Sequence, residues 1–325
     1  MGKKLSAIKI PPAAGYLVFG AILALSPLMV EMGIMRFAWL TIIAGIVIYS
    51  IVALGMNILM GYAGLVSLGT AGFMGLGAYL SAYLTMNMGL PFFLVFVIVV
   101  AVTMLLGVVV GLISLRVEGF FLAIATLVVS EILRQAFIQL TDFTGGFAGT
   151  RANFPDVFGL FSLDRNWTFV LIVAFLVLAM IITHNIFNSA TGRAMSAMRG
   201  SESAASAMGV NIFRYRLLAF AIAMGFAGAG GSLYVHFIRF TEPNTWIFVE
   251  SLFIFAMVVI GGVRSVPGSI LGAFVVFGVP RLILANLPVI GDIAGLSFVF
   301  TGVVIILVVL FYPAGLVYIW YDIRK

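Results

Sequence analysis

Thr191–Phe220 reads TGRAMSAMRGSESAASAMGVNIFRYRLLAF, the one long polar, arginine-bearing interruption in a strongly apolar second half. Arg193, Arg199, Arg214 and Arg216 bracket a short alanine- and serine-rich helix, expected over Glu202–Met208 and ending at Gly209. A helix that crosses a bilayer needs about 20 apolar residues. This one is too short and too polar to cross and is suited to lying beside a membrane, while the sequence on both sides of it is built to enter one.

Composition agrees. Hydrophobic residues make up 63% of the 325 and charged residues 9%, with a mean hydropathy of +1.25. Several apolar runs reach spanning length, so the expected fold is all-α, a polytopic membrane helix bundle. The formal charge of +6 sits in loops between apolar runs, where bases set topology; no nucleic-acid partner is expected. The absence of cysteine excludes disulfides, thiolate metal sites and thiol nucleophiles. His184 and His236 stand far apart, without metal-ligand spacing, so no metal and no cofactor are expected. Met1–Ser6 fits a myristoylation pattern and Lys3–Met29 resembles a signal peptide, but the cleavage context is poor and the reading is an uncleaved first span.

Ten spans are expected, at about 15–35, 38–60, 70–87, 91–115, 119–140, 167–187, 215–237, 248–262, 268–287 and 295–312. With the N-terminus inside, the inner loops hold eleven bases: Lys3, Lys4, Lys9, Arg116, Arg193, Arg199, Arg214, Arg216, Arg264, Arg324 and Lys325. The outer loops hold four, Arg36, Arg151, Arg165 and Arg239, while Arg134 and Arg281 fall inside spans. This asymmetry puts both termini and a loop at about 188–216 in the cytosol. The whole chain, 1–325, reads as one transmembrane domain. Its weakest span is 248–262, which is short and carries Glu250.

Glycine is clustered in the runs 61–78 and 261–273 and at Gly225, Gly228, Gly230 and Gly231. Small residues every three or four positions let helix backbones approach closely, so Gly61, Gly64, Gly268 and Gly272 are expected to pack helices. Such clusters also permit broken or re-entrant helices, provided the freed backbone groups line a cavity. Two glycine-interrupted segments in the two halves point to a transport path. Asn57, Ser67, Thr70, Glu131 and Gln135 are the candidates to line it. Glu131 and Arg134 share a helix face, and an ionisable group at a span's centre costs about 2.5–3.5 kcal/mol to insert. Their face is expected to meet the bundle interior or a wet cavity; a pair that merely pins two helices fits equally well. The outer loop 141–151 is polar and suited to receiving a partner.

No GxxxxGK[ST] pattern is present, so any ATP must be hydrolysed by another subunit. Nor can paired carboxylates or a Ser-His constellation be placed at one depth, and an enzyme is not expected. Four segments, GYAGLVSLGTAGFMGLGAY at 61–79, TDFTGGFAGT at 141–150, GRAMSAMRGSESAASAMGVNIFRYRLLAF at 192–220 and MVVIGGVRSVPGSILGA at 257–273, carry a resemblance to the larger permease subunit of bacterial branched-chain amino acid ABC importers. That family also includes permeases for urea, amides and some carboxylates. The third segment resembles the coupling motif of importer permeases, an alanine pair before a glycine, here Ala204, Ala205 and Gly209. At Thr70 relatives often have histidine.

The resemblance implies a bacterial inner-membrane subunit surrounded by lipid. Its implied partners are a homologous permease, two cytosolic ABC ATPases and a periplasmic or extracellular substrate-binding protein. It assigns ATPase coupling to Arg199, Glu202, Ala204, Ala205, Met208 and Gly209, with Arg199 and Glu202 meeting charges on the ATPase. Ala205→Glu is then expected to uncouple ATP hydrolysis from uptake without preventing insertion. The alternative class is a stand-alone secondary transporter or channel, and a third is a scaffolding subunit.

Overall fold

The computed structural model describes residues 12–116, 119–157, 161–283, 295–312 and 314–318. The terminal lysines, Arg324 and the last residues of the ninth expected span lie outside them. Six of the ten expected spans are helices long and apolar enough to cross a membrane. The first is Ala13–Glu31, made of α1 (Pro12–Ala24) and α2 (Ser26–Glu31), with Pro27 in the first turn of α2. The others are α3 (Phe37–Gly61), α5 (Phe92–Ser114), α6 (Phe120–Gln139), α8 (Arg165–Asn188) and α11 (Ile212–Ile238), with α4 and α7 to α10 defined below.

The other four are apolar helices of 17 residues or fewer. The third span is α4 (Thr70–Met86), of 17 residues. The eighth is α12 (Phe248–Gly261), of 14 residues, or about 21 Å at 1.5 Å per residue. The ninth is α13 (Val266–Ala273), a π turn over Phe274–Gly278, and α14 (Val279–Leu282). The tenth is α15 (Leu296–Phe311). The two glycine-rich runs fall at the gaps between expected spans and interrupt the helices there. Residues 62–69 leave the helix between α3 and α4, and residues 262–265 turn the chain between α12 and α13.

Unwound backbone inside a membrane protein must find partners within the protein. Hydroxyl side chains supply them here. Leu68 N donates to Thr126 Oγ1 at 2.9 Å, Gly69 N to Ser67 Oγ at 3.3 Å, Ala71 N to Ser251 Oγ at 3.0 Å and Gly72 N to Ser130 Oγ at 2.9 Å. The start of α4 is thus capped by hydroxyls from α6 and α12, which fixes three helices together at one depth.

At the centre stands α11, packed on α3, α4 and α5; 78% of its most apolar stretch is buried, against 22% for α5. Glycines make this possible, for a Cβ on Gly77 would overlap Gly228 and one on Gly231 would overlap Met74 O. With so little buried, the outer side of α5, including Val97, Leu105 and Ile113, is suited to lipid.

The bundle has two unlike ends. At one, α9 (Ala190–Gly200) and α10 (Glu202–Ala207) follow α8. Tyr16 near the start of α1 contacts His184 near the end of α8, and Leu316 N donates to Ile260 O at 2.9 Å, so the described residues nearest both termini lie at this end. At the other, α7 (Thr141–Thr144) leads into two small antiparallel pairs: β1 (Thr150–Arg151) with β4 (Phe240–Thr241), and β2 (Asp156–Val157) with β3 (Phe161–Ser162).

Candidate functional site

Each turn of the polar segment has its own cap. Ser189 Oγ accepts from Gly192 N at 3.1 Å, Ser201 Oγ from Ala204 N at 3.3 Å and Asn211 Oδ1 from Arg214 N at 3.0 Å. Serine and asparagine are favoured at helix starts for this reason. Past α10 the chain turns at Gly209, whose φ of 84° suits glycine.

Arginines then tie the segment to the bundle. Arg199 Nη1 donates to Gly61 O at the end of α3, beneath Gly64, which has φ of 70°. Arg216 Nη2 pairs with Glu202 Oε1. Arg264, in the turn after α12, donates to Ser196 Oγ and lies 4.8 Å from the Tyr62 ring centroid. Gly64, Arg199, Glu202 and Arg216 line a polar cavity of about 440 Å³ under α10. The charges of Arg199 and Glu202 are therefore already engaged within the chain.

The two alanines of the pair face opposite ways. Ala205 is 4% exposed and packs into the core, whereas Ala204 and Ala207 are exposed and Met208 is 85% exposed. The exposed surface of α10 and the residue after it carries apolar Ala204, Ala207 and Met208 beside Ser203 and Ser206. Helical phase hides this from the sequence, since adjacent alanines are chemically alike.

Among the path candidates, Asn57, Ser67 and Thr70 are buried inside the chain. Asn57 Nδ2 donates to Ser265 O at 2.9 Å and Ser269 Oγ at 2.8 Å, and its Oδ1 accepts from Arg264 N at 2.8 Å. It pins the α12–α13 turn to α3. Ser67 holds Gly69 N, and Thr70 Oγ1 makes a long contact of 3.9 Å with Met56 Sδ.

Glu131 and Gln135 stand elsewhere, on the outer side of α6. Glu131 accepts from Arg134 at 2.9 and 2.5 Å and from Gln135 Nε2 at 3.0 Å. The Glu131 side chain is 46% exposed, so this neutral triad faces away from the chain's own core. Gly268 and Gly272 lie on α13 where it crosses α12; a Cβ on Gly272 would overlap Met257 O, and one on Gly268 would stand 2.8 Å from Gly262 O. A Cβ on Gly61 would meet Asn57 Oδ1 at 2.6 Å.

Two polar groups gain roles the sequence concealed. His236 Nδ1 donates to Asn153 O at 2.7 Å, leaving Nε2 to accept from Ser81 Oγ at 3.0 Å, with Ser232 Oγ 2.8 Å from Ser81 Oγ. This chain of bonds joins α4 and α11 to the loop before β2. Glu250, the charge in the weakest expected span, accepts from Tyr49 OH at 3.2 Å across 201 positions of sequence. Among the described residues no group of three or more His, Cys, Asp or Glu could hold a metal.

Known proteins share this pattern. The family described as "Branched-chain amino acid transport system / permease component" matches residues 38–309. The chain is 32% identical over 326 aligned positions to the high-affinity branched-chain amino acid transport system permease protein LivM of Escherichia coli strain K12, covering 93% of this chain and 74% of that protein. It is 26% identical to a probable branched-chain amino acid transport permease protein LivM of Methanocaldococcus jannaschii, over 83% of this chain and 90% of that one. A more distant similarity, 25% identity over 70% of this chain and 71% of the relative, is to the ribose import permease protein RbsC of Haemophilus influenzae. No solved structure matches. With its helical bundle, its broken helices and a match across most of its length, the chain belongs to the branched-chain amino acid transport system permease family.

Proposed function

We propose that this chain forms half of the translocation pathway of an ATP-driven importer of branched-chain amino acids, set in the bacterial inner membrane with both termini cytosolic. A homologous permease supplies the other half. Two cytosolic ATPases dock on α10 of the paired permeases, and an external binding protein delivers cargo to the loops at 141–164 and 239–247.

The observation that carries this reading is the construction of α9–α10. A short helix transmits force only if it is fixed to the membrane helices on one side and free to be gripped on the other. Arg199, Arg216 and Arg264 supply the fixed side, and Ala204, Ala207 and Met208 offer the grip. The neutral triad on α6 supports a second subunit: a lipid-facing position for it carries an insertion cost of about 2.5–3.5 kcal/mol per charged residue, which a partner or wet path removes.

Co-expression with the ATPases and binding protein, followed by uptake and ATPase assays in proteoliposomes, tests the reading. Met208→Glu and Ala207→Glu are expected to abolish stimulated uptake while leaving the amount of folded permease unchanged. Because Ala205 is buried, Ala205→Glu is now expected to reduce folded protein instead. Wild-type uptake by Met208→Glu and Ala207→Glu together would reject docking at α10, and uptake independent of ATP would favour the gradient-driven alternative.

A further inference from the structure

Far from the docking segment, α3, α11, α12 and α14 border a partly open cavity of about 240 Å³ with Glu250 and Arg281 in its walls. Neither forms an ion pair with the other or with any other described residue. Counting along α3 at 1.5 Å per residue, its lining residues Tyr49 and Thr41 lie about 18 and 30 Å from Gly61. The cavity therefore belongs to the half of the bundle opposite α9–α10.

Each charge is held by its own helix. Glu250 is in the first turn of α12 and Arg281 in the last turn of α14, where the helix dipole favours an acid and a base respectively. Glu250 has the Tyr49 hydroxyl as its one hydrogen-bond donor among the described residues. Arg281 lies flat on Phe277, 3.7 Å from the ring centroid, with Nη1 3.3 Å from Phe277 O. The Tyr234 hydroxyl also lines the space without a hydrogen bond to a described residue. The rest of the wall combines aliphatic Ile42, Ile48 and Ile238 with Phe277 and two hydroxyl residues, Thr41 and Thr245.

Glu250 is half-buried with one described hydrogen-bond donor and Arg281 is exposed, so each can take a further polar partner from the cavity. Cavity volume far exceeds the roughly 10–15 Å³ that one water needs. A cation alone would answer Glu250 and an anion alone would answer Arg281. A molecule carrying both charges and an apolar body answers the whole cavity.

We propose that this cavity binds a free zwitterionic α-amino acid with an aliphatic side chain, its ammonium on Glu250, its carboxylate on Arg281 and its side chain against the isoleucines. The proposal rests on the transport reading above and adds to it a cargo site inside this chain.

The assembled importer in lipid nanodiscs, without binding protein or ATP, provides the test, with tritiated leucine as the probe. Isoamylamine and isocaproate, which are leucine without its carboxylate and without its ammonium, serve as competitors. Leucine is expected to bind saturably, with each half-ligand competing about ten- to a hundredfold more weakly, the range for losing a charge-assisted hydrogen bond. Glu250→Gln should weaken leucine by a similar factor and leave isocaproate unchanged, and Arg281→Gln should weaken leucine and leave isoamylamine unchanged. Half-ligand competition on the wild type needs no variant, so a poorly folded mutant does not shelter the proposal. No saturable leucine binding, equal binding by wild type and both variants, or a half-ligand as strong as leucine overturns it. ATP-driven leucine uptake by the same assembly with its binding protein is scored separately: uptake without such binding removes the cavity assignment alone, whereas absent uptake removes the transport reading.

Discussion

Asn57 spends all three of its described hydrogen bonds on the α12–α13 turn and on Ser269 of α13, more than 200 positions away. Arg264 in that turn has φ of 67°, sparsely populated for a residue with a side chain, and its N–H is held by Asn57 Oδ1. Asn57→Ala leaves a partly buried donor without its partner, at up to about 1–3 kcal/mol, and frees the strained turn. A lower unfolding midpoint of the solubilised permease, read by size-exclusion chromatography after heating, is the expected result. From sequence the same residue looks like a path-lining polar group. Polar type inside a span is legible, but whether the group faces a path or a partner depends on a contact that sequence spacing does not encode. Gly272 was better placed for reading, since a small-residue repeat announces close packing. Gly272→Val is expected to remove most folded protein by driving α13 off Met257 of α12, measurable as loss of the monodisperse peak.

Element by element, the ten apolar runs correspond to the helices, because hydropathy reports directly on what must be buried in lipid or protein. What satisfies the backbone at the breaks between them was less legible. The break at 62–69 ends on hydroxyls of other helices, Thr126, Ser130 and Ser251, and the one at 262–265 is held by Asn57; a run such as 70–87 looks the same whether it begins at the surface or inside the bundle. The charged face of α6 was visible as an i, i+3 pair, but its outward direction was not. For that helix, replacing the pair together, Glu131→Leu with Arg134→Leu, discriminates between surroundings. Lipid on this face predicts unchanged uptake and a higher unfolding midpoint; a path or partner permease, the outcome expected here, predicts lost uptake with the isolated chain still folded.

For the whole molecule, the absence of cysteine makes orientation directly measurable. A single cysteine at exposed Met208 is expected to resist a membrane-impermeant maleimide in intact cells and to react in inverted vesicles, while one at exposed Phe147 should do the reverse. Reaction of both from the same side would contradict the arrangement of ends. That arrangement gives α3 a particular mechanical standing. Most of its length is buried, its last carbonyl is gripped by Arg199, and Tyr49 farther along the same helix grips Glu250. Close-packed interiors have low compressibility and pass strain on, so α3 is built as a pushrod would be. On the docking proposed above, a stroke taken up at α10 would travel through this one helix and emerge about 18 Å along it as a change in the spacing between Tyr49 and Glu250.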